Sequence, residues 1–199
     1  MPRPRLHDED LRERLLEVTS QVISADGEAA VTVRGVAARC GTSTSAVYAL
    51  FGSREALVEA VCDEGFRRFG ARLDAVPRTD DPAADLAALG IAYRNSALAD
   101  PHFYRVMFDR GVALGGGRTG IRHPTFHVLR DAVARLLAVA APPAEPERAV
   151  EGALALWALA HGLVGLELAG LMPGDAAQRA ARYQATLLLA GPALLRPTG

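Results

Sequence analysis

Apolar residues recur along this chain with the period of a helix, and no stretch shows the alternation a half-buried strand would need. Over residues 8–25, Leu11, Leu15, Val18 and Val22 follow at spacings of four, three and four. That spacing predicts an amphipathic helix burying this stripe. Gly27 ends it. Thr32 is expected to cap a second, short helix carrying Val33, Val36 and Ala37, closed by Cys40 and Gly41. Ser43 is expected to cap a third that runs to about Leu50. Gly52 and Ser53 break the chain before "REALVEAVCDEGFRRFGARL", which turns Leu57, Val61 and Phe66 inward. A proline and aspartate break, "PRTDDPAADL", then separates a small N-terminal part from a larger one. In the larger part, helices are expected over residues 82–98, 101–110, 124–140, 147–171 and 175–190. The fold class is therefore all-α, with about nine helices. The expected division is a helix-turn-helix domain over 1–52, a connecting helix over 53–76 and a second helical domain over 77–199.

Composition narrows the reading. A chain of 199 residues that is 50% apolar can bury a core of its own. Only Cys40 and Cys62 are present, without CxxC spacing, which argues against a zinc site and a disulfide scaffold. The N-terminus "MPRPRLHDEDLRERLL" has no apolar core of a signal peptide. The longest apolar run, 153–166, is interrupted by His161 and falls short of the roughly 20 residues of a membrane span. A cytoplasmic location without membrane contact is the expectation.

A net charge of −1 does not advertise a polyanionic partner, so any nucleic-acid reading must rest on local charge. Such a local feature exists. Residues 29–54 contain Arg34, Arg39 and Arg54 and no acid, whereas residues 1–72 as a whole hold 10 arginines against 11 acids. The acids are thus segregated onto the first and fourth helices. Two short helices separated by a glycine turn, bare of negative charge, have the outline of a helix-turn-helix whose surface suits phosphate.

The segment "GTSTSAVYALFGSREAL" resembles the DNA-binding end of the tetracycline-repressor (TetR) family, whose pattern runs approximately G-V-S-x-x-x-L-Y-x-H-F-x-x-K-E-x-L. Gly41, Ser43, Tyr48, Phe51, Glu55 and Leu57 match outright; Val47 for Leu and Arg54 for Lys keep the chemistry. Thr42 replaces the usual valine, and Leu50 replaces a histidine that in the family sits beside the DNA backbone. The resemblance implies that the third helix enters the major groove of double-stranded DNA. Thr42, Thr44 and Ser45 would then meet base edges, with Ser43 both cap and neighbour. Hydroxyl side chains discriminate bases less sharply than a bidentate arginine, so part of the specificity is expected from DNA shape. Tyr48 and Arg54 are expected on phosphates, and Thr32 and Arg34 on the flanking backbone. Arg3 and Arg5 form either a further contact or merely a soluble end.

The larger part carries two aromatic clusters. "DPHFYRVMF" gathers Phe103, Tyr104, Met107 and Phe108, and "LWALAHGLVGLE" places Trp157 and His161 four apart on one helical face. With Tyr93 and Phe126, these are the candidates for a small-molecule effector site, although core packing is the common fate of such residues. This part also resembles a TetR subfamily with a Trp-x-x-x-His-Gly signature, here Trp157, His161 and Gly162, and an upstream "P-x-x-Y-R-x-M-F", here Pro101 to Phe108. That likeness implies an effector-sensing and dimerisation module. The last two helices are apolar over more than one face, and Ala153, Gly162, Gly165 and Ala169 permit close approach, so they are expected to form a homodimer.

No site for catalysis emerges. G-x-S-x-G, H-E-x-x-H and the P-loop are all missing from the sequence. His161 has no nucleophile beside it. His123 and His127 lack a third metal ligand, and the glycine-rich "GVALGGGRTG" follows no strand that would make it a phosphate cradle. Neither a metal nor a cofactor is expected. The sequence thus points to a non-enzymatic, dimeric regulator that leaves a pseudo-palindromic operator when an apolar effector binds. The alternative is a helical interaction or ligand-carrier module without DNA binding.

Overall fold

In the computed structural model, which describes residues 5–108, 123–140 and 146–196, the described residues form nine α-helices and one 3-10 turn, without a strand. The helices are α1 (Arg5–Asp26), α2 (Val33–Arg39), α3 (Thr44–Phe51), α4 (Arg54–Asp74), α5 (Pro82–Ala99), α6 (Pro101–Phe108), α7 (Pro124–Ala140), α8 (Pro146–Leu168) and α9 (Ala176–Leu194). The loop "GVALGGGRTG" and the expected end of the 101–110 helix lie outside the described residues.

The described residues divide into two compact units, but not at the expected positions 52 and 76. One unit takes the chain up to Arg68 and returns at Asp100; the other takes Phe69–Ala99 and the described residues from His123 onward. Two facts account for the difference. Helix α4 runs unbroken through the expected connecting segment, and α6 packs on α1 instead of joining the helices that follow it.

In the first unit, α1 buries a face rotated from the expected one. Leu15, Leu16, Thr19, Ser20, Ile23 and Ser24 are buried, while Leu11, Val18 and Val22 are only half-buried. The periodicity missed this because half of the buried stripe is small and polar. Thr19 can enter because its hydroxyl donates to the Leu15 carbonyl at 2.6 Å, and Ser20 does the same to Glu17 at 2.8 Å. Leu57, Val61 and Phe66 of α4 are buried as expected. Helix α6 comes close at Gly65, where a side chain would lie within 3.0 Å of Met107. Arg68 then ties three helices together. Its guanidinium reaches Glu64 on its own helix at 2.7 Å, Glu13 on α1 at 3.2 Å and Asp100 before α6 at 3.6 Å, and lies 4.5 Å from the Phe103 ring centre.

The second unit packs α7 on α8 through Phe126, Val133, Leu137, Ala149, Ala153 and Leu156, with α5 and α9 alongside. Ala153 is fully buried here and does not belong to the outward small-residue stripe expected of it; Gly162, Gly165 and Ala169 are exposed. Tyr183 of α9 is also fully buried and donates to the Gly90 carbonyl of α5 at 2.9 Å. Helix α8, with 23 residues, is by length and composition apolar enough to cross a membrane, contrary to the estimate from the run 153–166. The helix extends the run at both ends through Pro146 to Glu151 and to Leu168, and a third of its most apolar window is buried inside the unit. Its Glu167 is committed to an internal ion pair described below.

Candidate nucleic-acid interface and aromatic cluster

Helix α3 is held by its ends and by one anchor. The Ser43 hydroxyl accepts from the Ala46 N–H at 3.1 Å and lies 2.8 Å from the Ser45 hydroxyl. Gly41 and Gly52 flank the helix with φ of 64° and 80°, a left-handed backbone that glycine adopts without steric cost. Val47, 1% exposed, is the one buried residue of the helix. Everything else on it is turned outward or to the rim: Thr44, Ser45, Tyr48 and Ala49 are exposed, and Leu50 and Phe51 are half-buried. Tyr48, 52% exposed, is not a packing residue. Thr42 is half-buried before the cap, its N–H donating to the Ala37 carbonyl at 3.0 Å.

Helix α2 is built in the same way. The Thr32 hydroxyl accepts from the Gly35 N–H at 3.1 Å, and Val33, Val36 and Ala37 are buried. Arg34 is exposed at its start. The exposed Arg39 reaches Gln21 of α1 at 3.1 Å. Arg54 behaves differently. Its guanidinium is turned to the protein, donating to the carbonyls of Val31 at 2.8 Å and Glu28 at 2.5 Å. Of the eight predicted DNA-facing residues, Thr32, Arg34, Ser43, Thr44, Ser45 and Tyr48 are exposed, while Thr42 and Arg54 are half-buried. Near Leu50, the Arg12 guanidinium of α1 lies 5.6 Å from the Phe51 ring centre, which puts a cation beside the end of α3 that sequence reasoning did not single out.

The eight predicted effector residues fall four to each unit. Phe103, Tyr104 and Met107 are buried in the first unit, where Tyr104 and Phe108 have ring centres 4.9 Å apart and Phe66 meets Phe108 at 5.8 Å. Tyr93, Phe126, Trp157 and His161 gather in the second. The Trp157 indole N–H donates to the Tyr93 hydroxyl at 3.1 Å, and that hydroxyl lies 3.0 Å from His161 Nδ1. The Phe126 and Trp157 rings are 5.9 Å apart, and Phe69 stands edge-on to Tyr93 at 5.1 Å. The same unit also has a small cleft lined by Leu73, Val76, Leu89, Val128, Asp85 and Arg135, which none of the eight lines.

Sequence reasoning missed a buried charge network in this unit. Arg94 of α5 grips Glu167 of α8 with two bonds, at 2.7 and 2.6 Å, and Arg179 of α9 adds a third at 3.1 Å. Arg94 holds the Glu167 carboxyl below its ordinary range, against the cost of burial. The available signal was a lone glutamate on an otherwise apolar helix end and a lone arginine in the alanine-rich α5. Of the two histidines considered for metal, His123 has its Nδ1 2.9 Å from the Thr125 hydroxyl at the start of α7. Among the described residues no group of three or more potential metal ligands gathers.

Two family models match the chain. Residues 15–61 match the bacterial regulatory proteins of the tetR family, and residues 86–189 match the tetracyclin repressor-like C-terminal domain. No curated protein matches the chain by sequence. Among solved structures it is similar to SCO4313, described as a candidate regulatory protein, at 28% identity and a TM-score of 0.68, covering 94% of this chain and 99% of that one. The TetR family transcriptional regulator PfmR from Thermus thermophilus aligns at 16% identity and a TM-score of 0.69, over 94% of this chain and 99% of that one. A TetR variant from Acinetobacter baumannii AYE, solved with minocycline, aligns at 21% identity and a TM-score of 0.59, over 92% and 97%.

Proposed function

The chain belongs to the tetR family of bacterial regulatory proteins, and we propose that it is a homodimeric repressor released from a pseudo-palindromic operator by a small, largely apolar effector. The observation that carries this reading is α3 itself: eight residues capped at both ends, anchored by one valine, with hydroxyls and Tyr48 on the open side. Such a helix gains little from core burial and is suited to a groove. Thr44 and Ser45 meet bases, with Thr42 beside them; Tyr48, Thr32 and Arg34 hold phosphates.

The dimer forms through α8 and α9. Leu154, Leu166, Leu188 and Leu189 are exposed on these helices, the last at 85%, and Gly162 and Gly165 leave open space above the backbone. A second copy of the same face would bury these residues in a four-helix arrangement. The two recognition helices would then address half-sites about 34 Å apart or more.

The second unit is of the Trp-x-x-x-His-Gly type, and the trio Trp157, Tyr93 and His161 lines the effector site with Phe126. The four remaining candidates, Phe103, Tyr104, Met107 and Phe108, stand on α6 of the first unit. Effector binding weakens operator binding through a coupling of about 1–3 kcal/mol. The protein works in the cytoplasm, away from membranes, without a cofactor and without catalysing a reaction.

Selection of bound sequences from random duplex DNA tests the reading. A palindromic consensus is expected, lost in Tyr48→Ala combined with Thr44→Ala; enrichment of no sequence would sink it. Leu189→Glu is expected to convert the dimer to a monomer in sedimentation, and native mass spectrometry of the purified protein would reveal a retained effector.

A further inference from the structure

Arg54 stands where the family pattern has lysine and is expected from the sequence on a phosphate, yet its guanidinium is spent on the protein. We propose that Arg54 is a positioning residue for DNA recognition, a staple that holds the entry of α2 against the start of α4, and not a ligand of the DNA backbone. The inference rests on the DNA-binding reading above and changes the role of one residue within it.

The geometry is that of a fork on two carbonyls. Nε donates to Val31 at 2.8 Å and Nη2 to Glu28 at 2.5 Å, across 23 and 26 residues of sequence. Nη1 lies 3.8 Å from the Glu28 carboxylate and 3.4 Å from that of Glu55. The two carbonyls belong to the 3-10 turn Glu28–Ala30 and its C-terminal neighbour, the segment that delivers Thr32 to its capping position. Arg54 itself is the first residue of α4, just after Ser53, whose hydroxyl accepts from the Ala56 N–H at 3.0 Å. A cation there faces the positive end of the helix dipole, an unfavourable site unless local acceptors compensate. Two carbonyls and two carboxylates do so.

All 22 basic residues of the chain are arginine, so arginine for lysine here is no signal in itself, but its shape suits the site. A planar guanidinium can satisfy two carbonyls at once from a fixed fork, whereas an ammonium is a point charge without that geometry. Held in this way, the start of α2 keeps Thr32 and Arg34 in register with α3. Backbone contacts set the register in which base contacts are read. Loosening the staple therefore degrades discrimination between sequences more than it degrades attraction to DNA.

The test uses the full-length dimer, the duplex recovered by selection and a shuffled duplex of equal composition, at a temperature well below unfolding. Arg54→Gln is expected to lower the ratio of the two affinities about tenfold while leaving the slope of log K against log salt unchanged. Arg54→Lys, which keeps the charge and loses the fork, is expected to restore little of the ratio. Equal weakening on both duplexes, with the slope reduced by about two, one for each protomer, and rescued by lysine, would make Arg54 a phosphate contact and overturn the proposal. A lowered melting temperature with ratio and slope both intact would overturn it too, as purely structural. Should the unaltered protein bind neither duplex, the regulator reading fails; amide exchange over residues 31–35 then decides the staple alone, faster exchange in Arg54→Gln supporting it and unchanged exchange refuting it.

Discussion

Helix α3 and the pair α8–α9 both turn uncommitted faces outward, and they are positioned by opposite means. Helix α3 is set by its immediate neighbours in sequence: Ser43 caps it, Gly41 and Gly52 bracket it, and one valine anchors it. Its open face is hydroxyl and tyrosine. Helices α8 and α9 are set by partners far along the chain, Glu167 to Arg94 across 73 residues and Tyr183 to Gly90 across 93. Their open face is leucine and glycine. On the reading proposed above, the surface for a polyanion is presented by a short helix with local caps, whereas the surface for a second copy of the chain belongs to helices firmly embedded on their other side.

That contrast is sharpest at Glu167. Glu167→Ala would leave the Arg94 guanidinium buried with a void beside it, and the side chains of Arg94 and Glu167 are 10% and 6% exposed. The expected loss is about 3–5 kcal/mol in urea unfolding, because breaking a buried pair strands a charge. A loss below about 1 kcal/mol, the value of an ordinary hydrogen bond, would remove the claim that long-range charge positions α8. The corresponding test of α3 is Val47→Ala, expected to cost about 2 kcal/mol by lost burial and the cavity left behind. If amide exchange in α3 rises far more than elsewhere in that variant, the single-anchor description holds; a uniform change would break it.

The different means of positioning explain what could be read from the sequence. Caps, glycine turns and the stripe Val33, Val36 and Ala37 are local signals, and α2 and α3 were legible to within a residue or so. Leu57, Val61 and Phe66 announced the buried face of α4. The buried face of α1 was not legible, because Thr19, Ser20 and Ser24 lie on it and only their backbone hydrogen bonds or surroundings make that tolerable. Ala153 and Gly162 look alike in sequence, yet one is core and the other surface, a distinction made by α7 and not by α8 itself. The aromatic residues were read as one set, and tertiary folding assigned α6 to the unit of α1. The role of Arg54 was hidden for the same reason, since its partners lie more than 20 residues away.

Glu64 gives a local ion cluster to set against the long-range one. Arg67 holds it through two bonds of 2.7 Å and Arg68 through another of 2.7 Å, all within the turns of α4. Those partners, Arg67 foremost, pull its carboxyl from 4.5 down to about 2, against the cost of burial. Because the folded value is depressed, the stabilisation is present in full above about pH 4.5 and is lost as the pH falls through about 2. Glu64→Gln is expected to cost about 1–2 kcal/mol at pH 7, discounted for the exposed side of Arg67. The gap from the unaltered protein should close as the pH falls across that window in chemical denaturation. A gap independent of pH would mean that the carboxyl acts by packing and not by charge.

The smallest expected effect on stability is the most informative about function. Tyr48→Phe removes one hydroxyl from a side chain that is half in solvent, and a surface change of that kind should move stability by no more than about 0.5 kcal/mol. If Tyr48 holds a phosphate through its hydroxyl, affinity of a dimer for the selected duplex should nonetheless fall by about 1 kcal/mol per protomer, about 2 kcal/mol or roughly thirtyfold in all, the worth of a hydrogen bond exchanged with water at each half-site. The loss should be nearly equal on a shuffled duplex, since a backbone contact carries no sequence information, and fluorescence anisotropy on both duplexes measures it. A loss confined to the selected duplex would move Tyr48 from the backbone to a base edge. No loss on either would leave α3 with only Thr44 and Ser45 to explain why its open face is polar, and the contrast with the leucine face of α9 would then be one of composition without a demonstrated partner.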